Sequence, residues 1–234
     1  MADVSYEELF WQVRAELPGV PLPLLLLNYA ESVREFTARS LAWQYNVDSL
    51  LDLAADTAWP TVTPGTHIPT DTYTVQPVKV KWSDGSVIPF RTRDQLDEIN
   101  STWEADTSAE PDYWTITSPG VFRVVPLLLA TQTAVIRLRL AIAPIAGAVA
   151  IPEELVNEFQ GAWKNGTLAR LLKIPGKDWT NLQLAASYKM LFDTDITEAK
   201  SRAAADYGRP HRTVVYGGLS IGGSGRRNDD DYGR

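Results

Sequence analysis

The chain contains no cysteine and only two histidines, His67 and His211. The first absence excludes a disulfide framework, a thiolate nucleophile and any cysteine-ligated metal or iron–sulfur site. It fits assembly in a reducing cytoplasm. The scarcity of histidine narrows catalysis further, because His67 falls in a threonine-rich loop and His211 in a glycine-rich tail. Neither position would hold a catalytic geometry rigidly. Long hydrophobic runs are missing too: Val20–Leu27 is broken by Pro21 and Pro23, and Ile142–Ile151 by Pro144. Both are far shorter than a membrane span. The opening Met1-Ala2-Asp3-Val4-Ser5 has no basic n-region, so no signal peptide and no membrane partner are expected.

Positive charge is also in deficit, with 22 Lys and Arg against 29 Asp and Glu, a net charge of −7. Gly208–Arg234 holds five Arg against three Asp, a local +2 that leaves −9 on the rest. An acidic body lacks the cations from which nucleic-acid affinity normally comes. What remains is ordinary for a folded protein: 44% hydrophobic and 22% charged residues over 234 positions, enough for a real core.

Periodicity divides the chain. Ser5 and Glu8 form a capping-box pattern before a helix carrying Leu9, Val13 and Leu17, which Pro18-Gly19 stops. A second helix follows Pro21-Leu22-Pro23, with Leu26, Ala30, Val33 and Phe36 on its apolar face and a Glu35–Arg39 pair one turn apart on the other. A shorter helix is expected from Val47 to about Thr57. Residues 61–72 read as a linker rich in threonine and proline.

Tyr73–Trp82 alternates as a strand, and Asp84-Gly85 turns it into Val87-Ile88. A short helix is expected over Thr92–Asn100, and a hairpin joins Tyr113–Thr117 to Val121–Val125 around Pro119-Gly120. In Val135–Ile142 the residues Ile136, Leu138, Leu140 and Ile142 share one face, with Arg137 and Arg139 opposite.

Helix returns at Ile151-Pro152-Glu153-Glu154. Leu155, Phe159, Ala162, Gly166 and Ala169 make one face, whose small residues permit a close helix crossing. Pro175-Gly176 ends that helix, and a capping box at Thr180–Gln183 opens another bearing Tyr188, Phe192, Ile196, Ala199 and Ala203.

The expected fold is therefore α+β: a helical bundle formed by both chain ends, a β-rich insertion in the middle and an extended C-terminal tail. The expected divisions are residues 1–60 (first helices), 61–150 (β-rich insertion), 151–207 (last helices) and 208–234 (Gly-rich tail). The tail lacks the apolar residues for a core of its own. Its anchors Val214, Val215, Tyr216, Leu219 and Ile221, with Arg209 and Arg212, suit a strap laid on a partner surface, though a plain terminal extension has the same composition.

No catalytic pattern emerges. Gly176-Lys177 resembles the end of a phosphate loop, but Leu171 stands where that loop needs glycine and Asp178 where it needs Ser or Thr. The carboxylate pairs Glu7-Glu8, Glu31/Glu35, Glu153-Glu154 and Asp193/Asp195 lie mostly at helix starts or on polar faces, where acids are expected anyway. Asp229–Asp231 lacks the spaced ligands of a calcium loop. Eight tryptophans are scattered rather than interleaved with basic residues, a pattern of packing rather than of base stacking. No catalytic residue, cofactor or metal is expected.

Two stretches carry a resemblance. Gly166–Asn181, with its Ile174-Pro-Gly-Lys-Asp-Trp179 core, followed by Leu184-Ala185 and Tyr188, resembles the C-terminal signature of head-to-tail adaptor (connector) proteins of tailed bacteriophages. Ala30–Phe36 with Arg39 and Trp43 is similar to the second-helix segment of that family. Pro111-Asp-Tyr-Trp114 and Val125-Pro126 fall where the family has its sheet. Asp178 departs from the pattern, where proline is more usual. The resemblance spans roughly residues 5–207. It implies a structural virion protein of the neck: a ring subunit, twelve copies being usual, docked under the portal protein and receiving a tail or nozzle protein. Viral DNA would pass through the ring without specific binding, and the tail strap would grip the portal. Two other readings stay open, a tail-completion or nozzle subunit and a cell-wall-degrading virion enzyme using the acidic and aromatic residues.

Overall fold

The structure is a computed structural model and describes residues 3–55, 57–118 and 120–205. In chain order the elements are β1 (Asp3–Ser5), α1 (Tyr6–Leu9), α2 (Trp11–Glu16), α3 (Leu22–Ser40), β2 (Gln44–Asn46), β3 (Leu51–Leu53), β4 (Thr72–Trp82), β5 (Val87–Ile88), α4 (Arg93–Ile99) and β6 (Thr107–Ser108). There follow β7 (Tyr113–Ser118), β8 (Val121–Val125), β9 (Leu127–Leu128), β10 (Gln132–Pro144), β11 (Ala150–Pro152), α5 (Glu153–Leu171) and α6 (Leu182–Ala204).

Strand β10 organises the sheet. It pairs antiparallel with β4 along most of its length and with β2 and β3 on its other edge, while β5 extends β4. Its residues Ile136, Leu138, Leu140 and Ile142 are buried, as the alternation predicts. A sheet with one apolar face must be covered, and α3 lies against β10. Helices α3, α5 and α6 pack together around Phe36. Its ring centroid lies 4.9 Å from Phe159, 6.3 Å from Trp163 and 6.2 Å from Phe192.

The expectation of a helical bundle formed by both ends with a β-rich insertion between them is overturned. Strands β1, β2 and β3 come from the first sixty residues, and β1 pairs with β11 immediately before α5. Phe36, Trp163 and Phe192 share one continuous core with Val80, Ile136 and Leu138. Helices and strands are mixed along the chain because the one-sided sheet has no cover of its own. A small satellite core of Leu96, Trp103 and Val125 sits apart, with Tyr113 packed on it.

The expected helix over Val47–Thr57 is also corrected. Leu51 and Leu53 are buried with Asp52 exposed between them, a period of two, and the Val47 amide donates to the Leu138 carbonyl. On α3 the fully buried apolar positions are Leu25, Tyr29, Val33 and Phe36, while Leu26 and Ala30 are half-buried. Four consecutive leucines, Leu24–Leu27, fill every direction around the helix, so hydrophobicity alone does not choose its face. The cap of α6 is Asn181, whose side chain accepts from the Leu184 amide, and not Thr180. The tail beyond residue 205 lies outside the described residues.

Candidate partner-binding surfaces

The signature-like segment between α5 and α6 is a knitted turn. Gly176 has φ +71°, the left-handed region that glycine enters without strain. The Lys177 amide donates to Thr180 Oγ1 at 3.1 Å, and that hydroxyl donates to the Ile174 carbonyl at 2.5 Å. The Asn181 amide donates to the Leu172 carbonyl at 3.0 Å. Trp179 packs on the core, with its ring 3.7 Å from where a Gly19 Cβ would stand. The segment thus sets the angle between two helices and supports the loop after α2.

Charged residues tie the same helices together. The Glu35 carboxylate accepts from Arg39 at 2.7 Å, from Arg170 of α5 at 2.6 Å and from Lys189 of α6 at 3.3 Å. Asp193 closes the network through Arg39 at 2.8 Å and Lys189 at 2.9 Å. Partial burial would raise the Glu35 carboxyl, but the hydrogen bonds from Arg39 and Arg170 and the charge of Lys189 outweigh it and hold it below its ordinary value. Asp193 is held low in the same way, its slight burial outweighed by Lys189 and Arg39. Asp195 goes the other way: burial raises it, assisted by Glu198 and opposed by a hydrogen bond from Asn165. Close by, Glu16 accepts from Lys164 of α5 and from the Tyr188 hydroxyl of α6, both at 2.9 Å.

The other carboxylate pairs do not converge. Glu7-Glu8 and Glu153-Glu154 occupy first turns of α1 and α5, and Glu31 pairs with Arg34. His67 uses Nδ1 to accept from the Thr63 amide at 2.9 Å, an intraloop bond. Five tryptophans, Trp43, Trp82, Trp103, Trp114 and Trp163, are buried, whereas Trp11 is 60% exposed. Among the described residues no three His, Cys, Asp or Glu side chains come together as a metal site, and no helix is long and apolar enough to cross a membrane.

What stands out instead is the outward face of the sheet. The register sets Arg137 opposite Lys81 and Arg139 opposite Lys79. These side chains, with Asn46 and Asp48, line a groove of about 440 Å³. Lys79 and Arg139 also border a second hollow of about 530 Å³, lined by Pro77, Phe90 and Ile116. Sequence reading placed Arg137 and Arg139 opposite the core but not the lysines beside them. The paired patterns Lys79-Val80-Lys81 and Arg137-Leu138-Arg139 were the available signal. A complementary feature also escaped it: seven acids and no basic residue lie between Asp94 and Asp112. A third surface runs along α6, where Leu182 and Met190 are 66% and 67% exposed.

The expected strap residues Arg209, Arg212, Val214, Val215, Tyr216, Leu219 and Ile221 lie outside the described residues. Their segment follows Ala205, the cap of α6. Nearby, Gln44 of β2 donates to the Ala203 carbonyl at 3.1 Å.

The described residues thus present a helix-clamping turn, a basic groove and an exposed apolar stretch of α6. In comparison with protein families, the family model described as SU10 adaptor protein matches residues 5–214, and the chain belongs to that family. It is a phage adaptor, and membership implies a structural role among other phage structural proteins. No curated protein matches the chain.

Proposed function

We propose that the chain is a head-to-tail adaptor that forms a closed ring, of twelve copies as is usual for such proteins, in the virion neck. One side of the ring meets the portal protein and the other a tail or nozzle protein, and viral DNA passes through the channel it lines. The carrying observation is the family match over residues 5–214. The physical chemistry agrees with it. A closed ring needs two different, complementary patches on each subunit, and this subunit has separate basic, acidic and apolar surfaces. A net charge of −7 keeps the channel from holding DNA tightly.

In this reading residues 208–234 form a strap to the portal, anchored by Val214, Val215, Tyr216, Leu219 and Ile221 and aided by Arg209 and Arg212. Assembly takes place in the host cytoplasm, templated by the portal. Mass measurement of the purified chain alone and mixed with portal tests the proposal, with electron microscopy of the mixture. A ring seated on portal is the expected result. A chain that leaves portal unoccupied at high micromolar concentration overturns it.

A further inference from the structure

The basic sheet face is costly in an isolated subunit. Like charges directly opposite on adjacent strands repel, and here Arg137 stands opposite Lys81, with Lys79 two residues along the same strand. Among the described residues Lys79, Lys81 and Arg137 make no ion pair. The groove they line passes Lys79 and Arg139 into the hollow floored by Pro77, Phe90 and Ile116. Its natural occupant carries negative charge beside an apolar group. A nucleic-acid backbone satisfies the charged half alone.

Helix α4 has the matching chemistry. Asp94 and Glu98 are exposed one turn apart, a like-charge spacing that destabilises a helix. Glu98 also sits in the last turn, where the helix dipole disfavours an acid. Neither makes an ion pair among the described residues. Ile99, directly after them, is 56% exposed. The repulsion stored on each surface is relieved by the other.

We infer that the Lys79–Lys81–Arg137–Arg139 groove of one copy receives helix α4 of the next, with Asp94 and Glu98 on the cations and Ile99 toward the apolar hollow. This lateral contact rests on the ring reading above. The two patches differ, so the contact can be repeated head to tail from copy to copy, as ring closure requires.

The test uses full-length chains and portal. One variant carries Lys79→Glu and Lys81→Glu, a second Asp94→Lys and Glu98→Lys, and a third all four substitutions. Each two-site variant is expected to lose closed rings on portal and to self-associate at least about tenfold more weakly in low salt. The two mixed together are expected to regain rings of alternating copies, since native helix meets native groove and reversed helix meets reversed groove. The four-site variant is expected to regain rings for the second of these reasons. Because the chain has no cysteine, Lys81→Cys mixed with Asp94→Cys supplies a readout for folded, minimally altered protein. A disulfide-linked dimer in the mixture, and not in either variant alone, supports the contact. Rings formed normally by both two-site variants, or no crosslink, overturn it. So does a groove variant that rings normally but loses retention of duplex DNA in a mobility-shift assay. If the unaltered chain forms no ring on portal, the ring reading itself fails, which is a separate and earlier result.

Discussion

Gly166 of α5 lies directly beneath the ring of Phe192 of α6: a Cβ built on the glycine would stand 2.7 Å from Phe192 Cε2. That separation is below any real carbon–carbon contact, so the helices approach as closely as they do because residue 166 has no side chain. Phe192 is in turn one of the rings around Phe36, and the close crossing therefore anchors the centre of the core.

Gly166→Ala is expected to destabilise the protein. Alanine gains roughly 0.5–1 kcal/mol of helix propensity over glycine, but forcing a methyl into a filled site costs about 1–3 kcal/mol. Overpacking wins, and the denaturation midpoint should fall. Adding Phe192→Leu should recover part of the loss, a coupling that a double-mutant cycle measures. A midpoint unchanged by Gly166→Ala would show that the helices have room to separate.

Gly176→Val tests a different demand. No atom lies within 4 Å of a Cβ at this position, so crowding plays no part, but φ +71° does. The left-handed conformation costs a residue with a side chain roughly 1–2 kcal/mol, and more when it is β-branched. Gly176→Asn should cost less than Gly176→Val, because asparagine tolerates this region. Equal melting temperatures for all three would remove the argument.

Acid should loosen the three-helix contact through Glu35 and Asp193. Both carboxyls are held below their ordinary values in the folded state, so each contributes stability that is present above about pH 4 and is lost as pH falls through the lowered folded value. Glu35→Gln should cost about 1 kcal/mol at neutral pH, a modest figure because the cations around it are partly exposed. It should also flatten the acid limb of the stability profile. Asp195 is raised by burial, so its contribution fades as pH rises through the folded value, and Asp195→Asn should be neutral to stabilising at pH 7. Stability that declines equally in acid with and without Glu35 would assign the loss elsewhere.

Removing Gly208–Arg234 should leave helical signal and melting temperature nearly unchanged, because the described residues from Tyr6 to Ala199 already form a continuous core among themselves. Portal binding should fall sharply, and Val215→Ser with Tyr216→Ser should reproduce much of that loss. Burying each such apolar side chain is worth roughly 1.5–3 kcal/mol before ordering costs. Neutralising Asp229–Asp231 should matter little. Unchanged portal affinity in the truncated chain would remove the strap, and an unfolded truncation would assign the segment to the subunit's own core.

Local chemistry wrote most of the elements plainly into the sequence. The capping box of α4, with Thr92 accepting from the Gln95 amide and Gln95 from the Thr92 amide, is a pattern four residues long. The Asp84-Gly85 turn, the alternation of β10 and the Pro175-Gly176 turn beyond α5 are equally local patterns. The same short-range logic made the absence of cysteine decisive against thiolate chemistry, and it carried the family resemblance, whose signature is a helix stop followed by a helix start.

Long-range pairing decided the rest. Leu51-Asp52-Leu53 is too short for periodicity to separate helix from strand, and only the open edge of β10 made it extended. Leu24–Leu27 left the buried face of α3 undetermined until the sheet and α5 supplied something to pack against. Lys79 and Arg139 are sixty residues apart, and their adjacency follows from strand register alone. A surface is made of residues that meet in space, so the groove belongs to the tertiary structure, while the strands that build it were already legible in the chain.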